Sequence, residues 1–143
     1  MLEPHVVTFF YGSYINPAVL REVNLVPDRF EVARLPGFDI TIRPLANLVP
    51  SDQHTVYGVL AEATHAELDR LYRHAREVLG GVYLPRSVVA ETLSGYLKPA
   101  LCYIAPELDG GPPDPAYVAR IVEPARTHGF PEWYIERLQQ FAR

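Results

Sequence analysis

The segment Phe9-Phe10-Tyr11-Gly12-Ser13-Tyr14 sets a glycine turn between an apolar run and a helix start. In that setting the amides after Gly12 are free to point at an anion, the helix dipole favours negative charge, and the missing Cβ lets a ligand approach the backbone. The guest would be a carboxylate or a phosphate, held along Tyr11, Gly12, Ser13, Tyr14 and Ile15. The segment is not a P-loop, because no Gly-Lys-Ser/Thr follows. Nor is it a nucleophile elbow, because Ser13 lacks the Gly-x-Ser-x-Gly frame. Taken by itself it is simply a turn.

Other reactive residue types favour structural roles. Cys102 lies in the apolar run Ala100-Leu101-Cys102-Tyr103-Ile104, where a free thiol packs as a small hydrophobe. His65 falls in the first turn of a helix, His74 is flanked by two arginines, and His128 precedes a helix-ending glycine, where a cation suits the dipole. No pair among them has metal-ligand spacing with a third partner, and no cofactor is implied. Glu62 and Glu91, on or at the ends of strands, are reserve acids. Tyr11, Tyr57, Tyr83, Tyr103, Tyr117 and Tyr134 form a group suited to the interior or rim of a small barrel, their hydroxyls seeking partners.

Composition narrows the class of protein. The chain has 143 residues, 48% hydrophobic and 21% charged, with 14 Pro, 9 Gly, 9 Tyr and one Cys. Such a length predicts a single domain, residues 1–143, with a self-sufficient core. A proline share of about 10%, against a usual ~5%, argues for short elements joined by rigid corners rather than a bundle of long helices. The lone cysteine excludes an internal disulfide and a multi-cysteine zinc site, which fits a reducing, cytoplasmic home. There is no apolar run of membrane-spanning length, and Met1-Leu2-Glu3-Pro4-His5 lacks the basic start of a signal peptide. A net charge of −4, with Arg70, Arg73 and Arg76 as the longest basic cluster, offers no footprint for nucleic acid.

The elements that must position the turn can be read along the chain. His5 to Phe10 is a buried strand, and Asn16-Pro17 caps and opens a helix to about Val23. Phe30 to Leu35, Phe38 to Arg43 after the Pro36-Gly37 turn, and His54 to Glu62 read as strands. Thr64-His65-Ala66-Glu67 matches a capping box, and Leu68, Leu71, Tyr72, Ala75 and Leu79 follow at helical spacing until Gly80-Gly81. Val82 to Glu91 and Ala100 to Ile104 are two more strands. After the loop Asp109-Gly110-Gly111-Pro112-Pro113-Asp114, Asp114-Pro115 starts a helix that Pro124 should kink or end, and Pro131 starts the last one. The order predicts an α+β fold, a small mixed sheet or barrel flanked by helices.

The order of motifs carries a resemblance. Phe10-Tyr11-Gly12-Ser13, Val32-Ala33-Arg34-Leu35-Pro36-Gly37-Phe38, Ala46-Asn47-Leu48-Val49-Pro50, Val56-Tyr57-Gly58-Val59-Leu60 and the tail Gly129-Phe130-Pro131-Glu132-Trp133-Tyr134 resemble, in sequence, the gamma-glutamylcyclotransferase family. The resemblance implies a mixed β-barrel with a cavity at the tyrosine-glycine-serine turn, whose backbone holds the α-carboxylate of a γ-glutamyl group. It also implies an intramolecular reaction. The α-amine attacks the γ-amide carbon, closing 5-oxoproline and releasing an amine or amino acid, while one carboxylate shuttles the proton and neither metal nor nucleophilic side chain is required. Tyr83 resembles the family's tyrosine after the helix and becomes a substrate contact.

Two positions depart from the family pattern. Counting from Gly58 puts the place of the family's acid on Ala75, which cannot move a proton. The nearest carboxylate, Glu77, lies about 200° further round an ideal helix. An irregular end at Val78-Leu79-Gly80-Gly81 would bring Glu77 inward as the acid/base; otherwise it is a solvated partner of Arg73. Tyr14 stands where the family has asparagine and narrows or re-aims the pocket. The chain is thus expected to be either a cyclotransferase-type enzyme using Glu77 or a non-catalytic binder of a small carboxylate on the same fold. Docking of a partner on an exposed Trp133 is a third reading.

Overall fold

The computed structural model describes residues 3–108 and 110–143. Met1 and Leu2 of the N-terminal stretch and Asp109 of the glycine-proline loop lie outside the described residues. Five strands, β1 (His5–Phe10), β2 (Glu31–Ile42), β3 (Ala46–Thr64), β4 (Leu84–Thr92) and β5 (Leu97–Ile104), close on one another in the order β1-β3-β2-β4-β5. Every pairing is antiparallel except that of β1 with β5. Helices α1 (Pro17–Arg21), α2 (His65–His74), α3 (Pro115–His128) and α4 (Glu132–Gln140) flank this small mixed sheet, so the class is α+β, as the element order predicts. No helix is long and apolar enough to cross a membrane among the described residues.

β4 starts two residues later and β5 three residues earlier than the sequence reading, and the larger differences lie in β2 and β3. Phe30–Leu35 and Phe38–Arg43 are halves of one strand: the register against β3 slips between Pro36 and Phe38, so Pro36-Gly37 makes a bulge rather than a reversal. β3 begins at Ala46 instead of His54, because Ala46–Pro50 pairs with Phe38–Ile42 as one long antiparallel arm. The stretch Asp52-Gln53-His54 in the middle of that arm is exposed, which hides the strand from any test of apolar alternation. Further along, β3 passes very close to β1. A Cβ at Gly58 would sit 2.3 Å from the Phe10 carbonyl oxygen and 2.6 Å from the Phe9 ring, so only glycine lets the strand support the base of the turn.

Thr64 caps α2 as predicted: its hydroxyl accepts from the Glu67 amide at 3.1 Å, and the Glu67 carboxylate accepts from the Thr64 amide at 2.9 Å. The regular helix stops at His74. A π turn over Ala75–Leu79 follows, and Gly80 closes it in a left-handed conformation.

Pro124 does not end its helix, since α3 runs from Pro115 through His128. Proline has no amide hydrogen to give the Arg120 carbonyl four residues back, yet that carbonyl is not orphaned. The Asn16 side-chain amide donates to it at 3.3 Å, while the Asn16 carboxamide oxygen caps α1 by accepting from the Ala18 amide at 3.0 Å. The proline therefore fastens the N-terminal turn to α3. Tyr134, Ile135 and Leu138 bury the inner face of α4, each worth about 1.5–3 kcal/mol of apolar burial. Arg137 grips Asp39 of β2 through Nε at 3.1 Å and a second contact from its Nη2.

Candidate functional site: a tyrosine-lined cavity

β1 delivers Phe10 fully buried, and the chain then turns through Tyr11 and Gly12 into a single 3-10 turn, Ser13–Ile15. The turn consumes part of its own backbone: the Ile15 amide donates to the Gly12 carbonyl and the Asn16 amide to the Ser13 carbonyl, both at 3.1 Å. The amides of Ser13 and Tyr14 close onto no backbone carbonyl of the described residues. Gly12 is required by contact, because a Cβ there would lie 2.6 Å from the Ala46 Cβ. Ile15 turns wholly into the core, and its carbonyl accepts a hydrogen bond of 2.7 Å from His128 Nε2. This fixes the nitrogen that carries the proton in His128 and ties the far end of the turn to the end of α3. The sequence expectation that Ile15 contributes to binding is therefore met neither by its amide nor by its side chain.

Beside this turn lies a cavity of about 30 Å³, space for about two waters or one small functional group. Five tyrosines line it: Tyr11 and Tyr14 from the turn, Tyr72 from α2, Tyr83 ahead of β4 and Tyr117 from α3. Gly12, Ser13, Phe10, Leu45, Ala46 and Leu79 complete the wall. Three of the phenols are anchored to backbone. Tyr11 donates to the Tyr103 carbonyl at 2.7 Å, Tyr83 donates to the Ala46 carbonyl at 2.6 Å, and Tyr117 accepts from the Ala46 amide at 2.9 Å. The first residue of β3 is thus clamped on both its polar groups, holding the arm against the turn. Tyr14 sets its ring edge-on to Phe10 and Tyr72, at centroid distances of 6.3 and 5.5 Å. Its hydroxyl is buried without a hydrogen-bond partner among the described residues.

Burial pushes all five phenols above their ordinary value. For Tyr117 hydrogen bonds from the Ala46 amide and Ser13 oppose the rise. They remain neutral throughout the physiological range, and none of the lining residues is a carboxylate or a cation.

Of the residues singled out from sequence, the cavity gathers Tyr11, Gly12, Ser13, Tyr14 and Tyr83. Ala75 is buried at 1% exposure. The irregular helix end exists, but it does not swing Glu77 inward: across the π turn Leu79 reaches the cavity, and Glu77 stays exposed outside the lining. Glu91 is paired with Arg34, and Glu62 borders a separate cleft with Glu31 and Lys98. Burial pushes the Cys102 thiol up to about 12, consistent with an inert packing role. Among the described residues no group of three or more His, Cys, Asp or Glu is arranged to hold a metal ion. Sequence reasoning missed Tyr72 and Leu79 as wall residues. Tyr72 lies on the apolar stripe of α2 and Leu79 at the end of the π turn that follows it, where cavity lining and core packing share one apolar character.

The chain resembles several solved structures across nearly its full length. A structure described as a gamma-glutamyl cyclotransferase is 25% identical, with a TM-score of 0.82 over 95% of this chain and 87% of that one. An uncharacterized human protein matches equally well, at 25% identity and a TM-score of 0.82 over 96% and 88%. A yeast gamma-glutamyl cyclotransferase specific to glutathione shares the fold at 13% identity, with a TM-score of 0.66 over 96% and 95%. No curated protein matches by sequence. Residues 55–138, from the second half of β3 to α4, match the AIG2-like family. The chain belongs to the AIG2-like family and has the fold of the gamma-glutamyl cyclotransferases.

Proposed function

We propose that the protein binds a small carboxylate-bearing metabolite in the tyrosine-lined cavity at the Tyr11–Tyr14 turn, without a side chain poised for cyclisation. One observation carries this reading: the lining supplies amides and phenols, but no carboxylate. Cyclising a γ-glutamyl compound needs a group that takes a proton from the ammonium and returns it to the leaving nitrogen, within a hydrogen bond or one water of the reacting atoms. Neutral phenols whose acidity burial has weakened are poor agents for that transfer. The Ser13 and Tyr14 amides support anion binding, as does the turn's resemblance to the one that holds the γ-glutamyl carboxylate in the cyclotransferase family. A reducing cytoplasmic compartment belongs to the same proposal, on the strength of the single buried thiol.

A second reading, turnover with Glu77 as acid/base, is favoured by the likeness to a structure described as a gamma-glutamyl cyclotransferase. Incubation with γ-glutamyl dipeptides and γ-glutamyl amines separates the two. Binding by calorimetry with no 5-oxoproline formed is the outcome expected of the binder. Sustained 5-oxoproline release that is lost in Glu77→Gln would overturn it in favour of the enzyme.

A further inference from the structure

The cavity is uncharged, and one of its buried hydroxyls is without a partner among the described residues. Tyr14 stands in the wall with its hydroxyl buried and, among the described residues, unbonded, while Tyr11 and Tyr83 have given their hydrogens to backbone carbonyls and Tyr117 is fixed by the Ala46 amide. A buried hydroxyl left in that state costs free energy that an occupant can return, and the occupant must offer a hydrogen-bonding atom rather than a bare methyl.

Charge then decides which occupant. An ammonium in this space would have no counter-ion, since no carboxylate lines it. Glu22, the carboxylate whose field reaches Tyr14, is already paired with Arg120 at 2.8 Å on the surface. The ring faces of Tyr14 and Tyr72 return only part of the cost of stripping water from a cation. A neutral amide meets the same walls without that cost. It also has both a donor and an acceptor for the Tyr14 hydroxyl, and its size suits about 30 Å³.

We propose that the site takes N-acylated amino acids in preference to free zwitterions, with Tyr14 as the hydrogen-bond partner of the neutral amide. This rests on the carboxylate reading of the turn. It makes Tyr14, which stands in place of asparagine, the residue that sets specificity: its ring reduces the volume and its hydroxyl selects the group beside the carboxylate. The ligand would therefore come from, or go to, an acyl transfer or amide hydrolysis at an amino group.

Calorimetric titration of the full chain with N-acetylglycine, glycine and propionate tests the assignment. N-acetylglycine is expected to bind at least tenfold more tightly than glycine. In Tyr14→Phe its affinity should fall about three- to tenfold, a larger loss than that of propionate, which has no amide. Thermal melts of the variant guard against misfolding, and Phe keeps the ring contacts with Phe10 and Tyr72. Glycine binding as tightly as N-acetylglycine, or equal losses for N-acetylglycine and propionate in Tyr14→Phe, would overturn the amide preference while leaving carboxylate binding intact. If none of the three binds, the carboxylate reading falls and the inference with it.

Discussion

Two clusters of aromatic rings share this small fold and are built on different terms. At one, Tyr57 of β3 meets Phe130, Trp133 and Tyr134 at centroid distances of 5.9, 5.9 and 5.3 Å, ring against ring, at the corner between α3 and α4. At the other, Tyr11, Tyr14, Tyr72, Tyr83 and Tyr117 surround a void. The first gains stability from contact area, and its one exposed member, Trp133, has 56% of its surface in solvent above buried neighbours. The second directs hydroxyls to backbone groups of Ala46 and Tyr103, which fixes the walls without filling the space between them. Tyrosine serves both purposes because one end packs while the other bonds. What separates a core from a site here is where the hydroxyls go.

Alkaline titration should part the clusters most strongly. Burial raises the five cavity phenols above their ordinary value, and lifts the Cys102 thiol from 9.0 to about 12; of the corner cluster, Tyr134 is likewise raised. These groups keep protons in the folded chain that the unfolded chain has lost, so their contribution is complete below about pH 9 and disappears as the pH rises through the folded values. Stability should therefore fall steadily above about pH 9, with the cavity phenols ionising only as the protein unfolds, so that Tyr14→Phe removes absorbance from the unfolding step alone. Ionisation of the cavity tyrosines in the intact fold would mean that the cavity is wet and open.

Next in size is Tyr134→Ala. Emptying the centre of the corner should cost about 3–5 kcal/mol in chemical denaturation, as for other large-to-small changes in cores. A loss below about 1 kcal/mol would put that corner in the same class as the cavity. The smallest effect belongs to Tyr83→Phe, which leaves the Ala46 carbonyl without its donor at a cost of about 1–3 kcal/mol while the ring stays in place. Its informative readout is ligand affinity, expected to weaken as the β3 arm loosens from the turn.

Much of the frame was legible in particular residues. Asn16-Pro17, Thr64 with Glu67, and Gly129 each announce a helix end through a side-chain oxygen or a left-handed conformation that acts locally. The start of β3 was not legible, because its exposed middle carries no alternation. Nor was the continuation of α3, because the group that rescues the carbonyl freed by Pro124 comes from Asn16, far away in sequence. At the site, the turn spoke for itself through Gly12. Regular helical spacing already put Glu77 outward, and the π turn, which that spacing does not encode, leaves it there; the roles of Tyr72 and Tyr117 depended on the void between elements.

The two fastenings of the turn also bear on the order of folding. Asn16 reaches the Arg120 carbonyl across 104 positions, and Ile15 meets His128 across 113. Contacts so distant in sequence close late, after the loops between them have been drawn in. During synthesis the strands and α2 can collapse while the turn still lacks its anchors. The tyrosine-lined cavity is then among the last features to mature, so a chain caught short of α3 would hold most of its sheet and lack the Tyr117 wall.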